Sequence, residues 1–116
     1  MVQIWNRWCE NMDGLELISF QIIAAVGTAK SMYIEAMQAA KAGDFDQAEN
    51  LLAEGQTIFV DGHKAHASLI QQEASGEQVA FSLLLMHAED QLMSAETIKI
   101  MATEIIELHR LVKEKI

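Results

Sequence analysis

The chain has 116 residues, enough for one domain but too few for two, and its 51% hydrophobic content without any proline favours long helices. Seventeen acidic residues against eight basic ones give a formal net charge of -9, which argues against a nucleic-acid surface because contacts with phosphates need clustered lysines and arginines. The single cysteine, Cys9, cannot form an intrachain disulfide, and no uninterrupted apolar run reaches the length of about 18 residues that would span a bilayer, so we expect a cytoplasmic protein.

Residues 1–14 are interpreted as an N-terminal extension and residues 15–116 as the domain. The domain opens on a predicted helix from about Leu15 to Ala42, because apolar residues recur there at the three- and four-residue spacing of one helix face. The members of this face are Leu15, Ile18, Ile22, Ala25, Ala29, Met32, Ala36 and Ala40. Gly43 is predicted to end the helix.

A second predicted helix follows almost at once. Asp44 and Gln47, three positions apart, are typical of a capping box, in which the aspartate accepts the free backbone N–H groups of the first helical turn. The same spacing continues to about Gln72 through Phe45, Ala48, Leu52, Gly55, Phe59, Gly62, His66 and Leu69. Residues 73–78 are predicted to form a loop, because Ser75–Gly76 interrupts the pattern.

A third helix is predicted from about Val79 to Lys113, and the short connections imply an antiparallel three-helix bundle of the all-α class. An unusual stripe on this helix consists of Leu83, Met86, Asp90, Met93 and Thr97, followed by Met101, Ile105, Leu108 and Val112. A carboxylate in an apolar stripe is costly unless a proton, a cation or hydrogen-bond donors accompany it, so Asp90 is a candidate site residue. His87 lies one turn before it. The methionines are expected to belong to the core, namely Met86, Met93 and Met101.

The third helix also predicts self-association. Around residues 83–86 it is apolar on nearly every side, more than one three-helix subunit can cover. If subunits met about an axis along the Asp90 stripe, several carboxylates would converge and need a shared cation or proton. The residues alone leave the number of subunits open, and Asp90 could instead be a polar residue that sets helix register.

The histidines and Gln91 have more than one interpretation. An isolated histidine on a helix is more often structural than nucleophilic, so His87 by itself does not establish chemistry. His63 and His66, three residues apart, could be metal ligands, although packing or interface roles are the simpler interpretation. Gln91, one turn after His87, is within reach to orient the imidazole or a bound phosphate.

Residues 82–93, SLLLMHAEDQLM, resemble the helix that carries the phosphorylated histidine in lactose/cellobiose-type IIA proteins of the bacterial phosphoenolpyruvate-dependent sugar phosphotransferase system. The family pattern is approximately SLLLVHAQDHLMT. The similarity extends, in the family's order, to residues 22–31 (IIAAVGTAKS), 39–48 (AAKAGDFDQA) and 69–77 (LIQQEASGE). It covers the chain from about Leu15 to the end, so the chain is identified as a member of this family.

The resemblance implies a phosphoryl carrier. His87 would accept a phosphoryl group from the phosphocarrier protein HPr and pass it to a cysteine of a IIB component, for uptake of a β-linked disaccharide. Imidazole suits this role because it is largely neutral and nucleophilic near pH 7. The resemblance also implies a cytoplasmic homotrimer that meets the membrane only through a IIC transporter. A divalent metal ion, expected to be Mg²⁺, would be shared by Asp90 of three subunits, with no organic cofactor.

The chain has three departures from the family pattern that bear on the site, one of them a pair of residues. Glu89 replaces a glutamine and brings a negative charge near a group that would carry a dianionic phosphate. Because it lies two residues after His87 on the helix, we expect its side chain to point away. Gln91 replaces a frequent histidine, and His66–Ala67 replaces a glutamine-threonine pair.

Two functions of other classes are the alternatives. The first is a helical protein-interaction module without phosphotransfer. Residues 39–48 are similar to the turn of a tetratricopeptide repeat, but no second copy occurs at a spacing of about 34 residues. The second is a di-iron bundle enzyme, which needs Glu-x-x-His on two helices, and no such tetrapeptide occurs in the chain.

Overall fold

A computed structural model describes residues 14–116, which form three helices: α1 over Gly14–Lys41, α2 over Phe45–Ala74 and α3 over Leu83–Lys115. This part of the chain contains no strand. α1 packs against both other helices, whereas α2 and α3 contact each other less. The prediction of an all-α three-helix subunit is therefore confirmed. The predicted extension 1–14 lies outside the described residues except for Gly14, at which α1 begins.

Successive helices run antiparallel. Gly62 of α2 lies beside Val26 of α1, whereas Gly55, earlier in α2, lies beside Tyr33, later in α1. The ion pairs between α2 and α3 show the same reversal, in Glu49–Arg110 and His66–Glu89. Phe45, at the start of α2, also holds the C-terminal end of α3. The Arg110 guanidinium and the Lys113 ammonium lie 4.9 and 5.3 Å from its ring centroid.

The turn between α1 and α2 follows the sequence prediction closely. Gly43 has a φ of 89°, a left-handed conformation that glycine adopts without steric cost. Asp44 is the N-cap of α2, and its Oδ1 accepts a hydrogen bond of 3.1 Å from the backbone N–H of Gln47. The Asp44 N–H itself donates to the carbonyl of Ala39 at 2.9 Å. The capping prediction is confirmed on the aspartate side.

The start of the third helix differs from the prediction. α3 begins at Leu83 and not at Val79, because Ser82 has extended backbone and its Oγ accepts a 3.0 Å hydrogen bond from the N–H of Leu85. An N-cap serine marks the boundary between a loop and the helix that follows it. The connection from α2 to α3 therefore runs through residues 75–82, and His87 lies in the second turn of α3.

The core is centred on α1. Its fully buried face includes Ile22, Val26, Ala29 and Tyr33, whereas the predicted members Ala25 and Met32 lie at the margin of this face and are half-buried. By length and a mean hydropathy of 1.4 over 18 residues, α1 is long and apolar enough to cross a membrane, although polar residues interrupt its apolar sequence. A core helix of a soluble protein passes the same test, and α1 is the helix that packs against both others.

α3 buries a different face from the predicted one. The residues that it buries against the rest of the subunit are Ala88, Leu92, Ala95, Ala102 and Ile106. The prediction that the methionines are core is wrong for the subunit, since Met86, Met93 and Met101 are 47%, 66% and 53% exposed. α3 carries two apolar faces, and the alanine-rich one allows the closer approach of the helices.

Candidate functional site

His87 is presented to solvent from a well-anchored turn. The Ser82 cap starts α3, and the neighbouring Ala88 is fully buried, so the turn is held against the bundle. The His87 side chain is exposed, and residues 14–116 offer it no hydrogen bond or ion pair. Neither ring nitrogen is therefore engaged by a described residue, as suits a nucleophile that meets a protein partner.

Asp90 lies one turn further on the same exposed side of α3. It is exposed, as are Met86 and Met93, which flank it on the apolar stripe. The described residues make no hydrogen bond or ion pair with its carboxylate. Within one subunit, the carboxylate therefore keeps its hydration and has no burial cost to offset. Any need for a cation at Asp90 arises only when copies of this face come together.

One subunit does not provide a metal site in the part that the structure describes. No group of three His, Cys, Asp or Glu side chains among residues 14–116 could hold a metal ion. A single exposed carboxylate would leave most of the coordination shell of a Mg²⁺ ion to water. His63 is exposed with its ring centroid 6.3 Å from that of Phe59, a packing arrangement.

Gln91 is half-buried on α3, one turn after His87. No hydrogen bond joins its amide to the imidazole within residues 14–116. Its role in orienting the ring or a phosphate stays a prediction.

A contact that the sequence analysis does not predict joins two of the departures from the family pattern. His66 Nε2 of α2 lies 2.6 Å from Glu89 Oε1 of α3, with side chains that are 18% and 43% exposed. The Glu89 carboxylate thus lies against α2, in agreement with the expectation that it would point away from His87. The signal that could have found the contact is that an imidazole and a carboxylate, a complementary pair, replace two neutral side chains in one sequence.

An apolar cleft adjoins this pair. It has a volume of about 280 Å³ and is lined by Glu73, Val79, Ala80, Phe81, Leu85, Met86 and Glu89. Phe81 and Leu83, just before and at the start of α3, are strongly exposed. The surface around His87 thus combines apolar side chains with a free imidazole, which suits contact with another protein better than enclosure of a small substrate.

Comparisons with known proteins agree with this architecture. A family model described as "PTS system, Lactose/Cellobiose specific IIA subunit" matches residues 17–110. The lactose-specific EIIA component of Staphylococcus epidermidis is 39% identical over 100 residues, which cover 86% of this chain and 96% of that relative.

Solved structures lead to the same family. The cellobiose-specific enzyme IIA from Bacillus anthracis matches with a TM-score of 0.87 and 38% identity, over 90% of this chain and 95% of that one. The IIA(chitobiose) in complex with HPr from Escherichia coli matches with a TM-score of 0.76 and 30% identity, over 88% of this chain and 99% of that one. With nearly the whole described bundle and the histidine-bearing helix matched, the chain belongs to the lactose/cellobiose-specific IIA family of the phosphotransferase system.

Proposed function

We propose that this protein is a cytoplasmic phosphoryl carrier in which His87 accepts a phosphoryl group from HPr and passes it to a cysteine of a IIB component, for uptake of a β-linked disaccharide. The observation that carries the proposal is the position of His87, exposed and without a partner among the described residues, in the helix of a IIA-family member. The matched E. coli IIA protein, solved in complex with HPr, supports the choice of donor.

Phosphoryl transfer requires of this chain mainly that it expose the His87 imidazole to its protein partners. In the first step the bond from phosphorus to the donor atom of HPr breaks as a bond forms to a ring nitrogen of His87. In the second step that bond breaks as phosphorus bonds to the IIB cysteine, which reacts as its thiolate, and the imidazole leaves with its electron pair. Phosphoryl transfer depends chiefly on alignment and on donors around the phosphoryl oxygens. Because the His87 imidazole is exposed and has apolar side chains around it, HPr and then the IIB component can each bind there and supply the remaining groups of the site.

The assembly that we propose is a homotrimer formed through the exposed face of α3. Large apolar side chains continue along this helix beyond Met93, at Ile100, Met101, Leu108, Leu111 and Val112, and all are about half exposed or more. Such a continuous apolar face favours association. Three Asp90 carboxylates would then converge, and a shared divalent cation, Mg²⁺ by its preference for oxygen ligands, would neutralise them. The ion would be structural, and His87 would do its chemistry without it.

The experiment that tests the function is phosphoryl transfer from phosphoenolpyruvate through enzyme I and HPr. We expect an acid-labile phosphate on His87 of the wild type, located by mass spectrometry, and none on His87→Gln. His63→Gln, at another exposed histidine, is the matched control and should be phosphorylated like the wild type. A folded wild type that stays unphosphorylated with an HPr that is competent on another IIA protein would overturn the proposal in favour of a helical interaction module.

A further inference from the structure

The contact between His66 and Glu89 joins two helices that otherwise touch little. α2 and α3 contact each other less than either contacts α1, and the 2.6 Å link lies next to the turn that carries His87. At neutral pH the carboxylate accepts, so the His66 Nε2–H donates. The bond needs only the neutral imidazole and does not depend on protonation of the ring.

Glu89 needs such a partner because of its distance from His87 along the helix. Residues two positions apart on an α-helix have Cα atoms roughly 5 Å apart and side chains that leave the helix on different sides, but a glutamate side chain is long enough to swing through several ångströms. An unrestrained glutamate can therefore bring its charge to roughly 10 Å from a phosphoryl group on His87, well inside the screening length of about 30 Å at 0.01 M salt. An unrestrained carboxylate there repels the dianionic group that must arrive.

The surroundings of Glu89 leave His66 as the group that restrains it. The cleft on the other side of Glu89 is lined by a second carboxylate, Glu73, and otherwise by apolar side chains. The side chains of this cleft offer Glu89 neither a hydrogen-bond donor nor a cation. The Glu89 side chain is 43% exposed, so packing alone does not hold it in place.

We propose that His66 is a positioning residue for phosphoryl transfer: its hydrogen bond holds the Glu89 carboxylate against α2 and reduces the charge that faces His87. The inference rests on the proposed function of His87. It assigns a role to a histidine that touches neither the phosphoryl group nor the partner protein.

The test measures kcat/KM for phosphorylation by phospho-HPr in the wild type, His66→Ala, Glu89→Gln and the double variant. We expect His66→Ala to lower the rate roughly fivefold at low ionic strength, because an unmasked charge is most effective there, and less at high salt. Glu89→Gln and the double variant should stay within about twofold of the wild type. His63→Ala, on the same helix, is the matched control for loss of an imidazole and should be neutral.

Rescue by Glu89→Gln separates this role from a structural one, since removing a second side chain would not repair a packing defect. A His66→Ala variant as fast as the wild type, or a double variant as slow as His66→Ala, would overturn the inference. A wild type without phosphate on His87 would overturn the proposed function and this inference with it.

A second measurement does not depend on activity or on the folding of His66→Ala. Long-range ¹H–¹⁵N spectra of the wild type should place the His66 proton on Nε2, and Glu89→Gln should shift that signal. A proton on Nδ1 that does not respond to Glu89→Gln would contradict the contact itself.

Discussion

Gly55 of α2 lies directly against the ring of Tyr33 of α1, so closely that a Cβ added to the glycine would lie 2.7 Å from Tyr33 Cε1. Two turns further along α2, a Cβ added to Gly62 would lie 2.8 Å from Val26 Cγ1. Tyr33 and Val26 are both fully buried and have little room to move. The two glycines therefore set the distance between α1 and α2, on which the position of α2 and of His66 depends.

Gly55→Ala and Gly62→Ala are each expected to destabilise the protein. A helical alanine gains about 1 kcal/mol over glycine, but overpacking a tight interface costs about 1–3 kcal/mol, so we expect a net loss of about 1 kcal/mol in the free energy of unfolding. Urea unfolding measures it. Gly27→Ala in α1, where nothing lies within 4 Å of an added Cβ, is the control and should be neutral or stabilising. Equal effects at all three positions would contradict the close approach.

Stability should fall between pH 10 and pH 12 because of Tyr33. Burial raises the pKa of Tyr33 from 10.0 to about 12. Above pH 10 the unfolded chain loses this proton while the folded one keeps it, so the stabilisation is complete below pH 10 and is lost as the pH rises towards 12. Thermal unfolding across this window, compared with Tyr33→Phe, isolates the effect. Parallel pH profiles for the two proteins would show that Tyr33 does not contribute.

Removal of divalent metal should affect the assembled protein through Asp90. If three carboxylates converge around a cation, EDTA leaves them repelling one another, so the wild-type melting temperature should fall with EDTA and recover with Mg²⁺. Asp90→Asn lacks the charge and should be insensitive to EDTA, while Glu96→Gln, at an exposed carboxylate of α3, should behave like the wild type. A wild-type melting temperature that is the same in EDTA and in Mg²⁺ would contradict a shared metal.

Ser82→Ala should loosen the first turn of α3, which directly precedes the turn that carries His87. The Ser82 Oγ accepts from the Leu85 N–H, and loss of such a cap costs about 1 kcal/mol. Hydrogen exchange should become faster in the first turn of α3 and remain unchanged in α1. Ser31→Ala, at an exposed serine of α1, is the control. Unchanged exchange at the start of α3 would mean that the cap is not what orders this turn.

The amino-acid sequence was enough to predict the number of helices, the turn at Gly43 with its Asp44 cap, and the family. These features depend on residues close together in the chain: a capping side chain reaches a backbone group three positions away, and periodic apolar residues define a face within one helix. The predicted start of α3 at Val79 was four residues too early for the same reason: the local apolar pattern begins before the Ser82 cap, and the helix begins at Leu83.

Packing between the helices, in contrast, sets which apolar face of α3 is buried and which partner Glu89 takes. Two faces of α3 satisfied the helical period equally well, and only the close packing of Ala88 and Ala95 against the bundle left the Asp90 stripe exposed. His66 and Glu89 are 23 residues apart, and their contact depends on how two helices lie side by side. Periodicity describes each helix about its own axis, whereas the relative rotation of two helices is set by the shapes that pack between them.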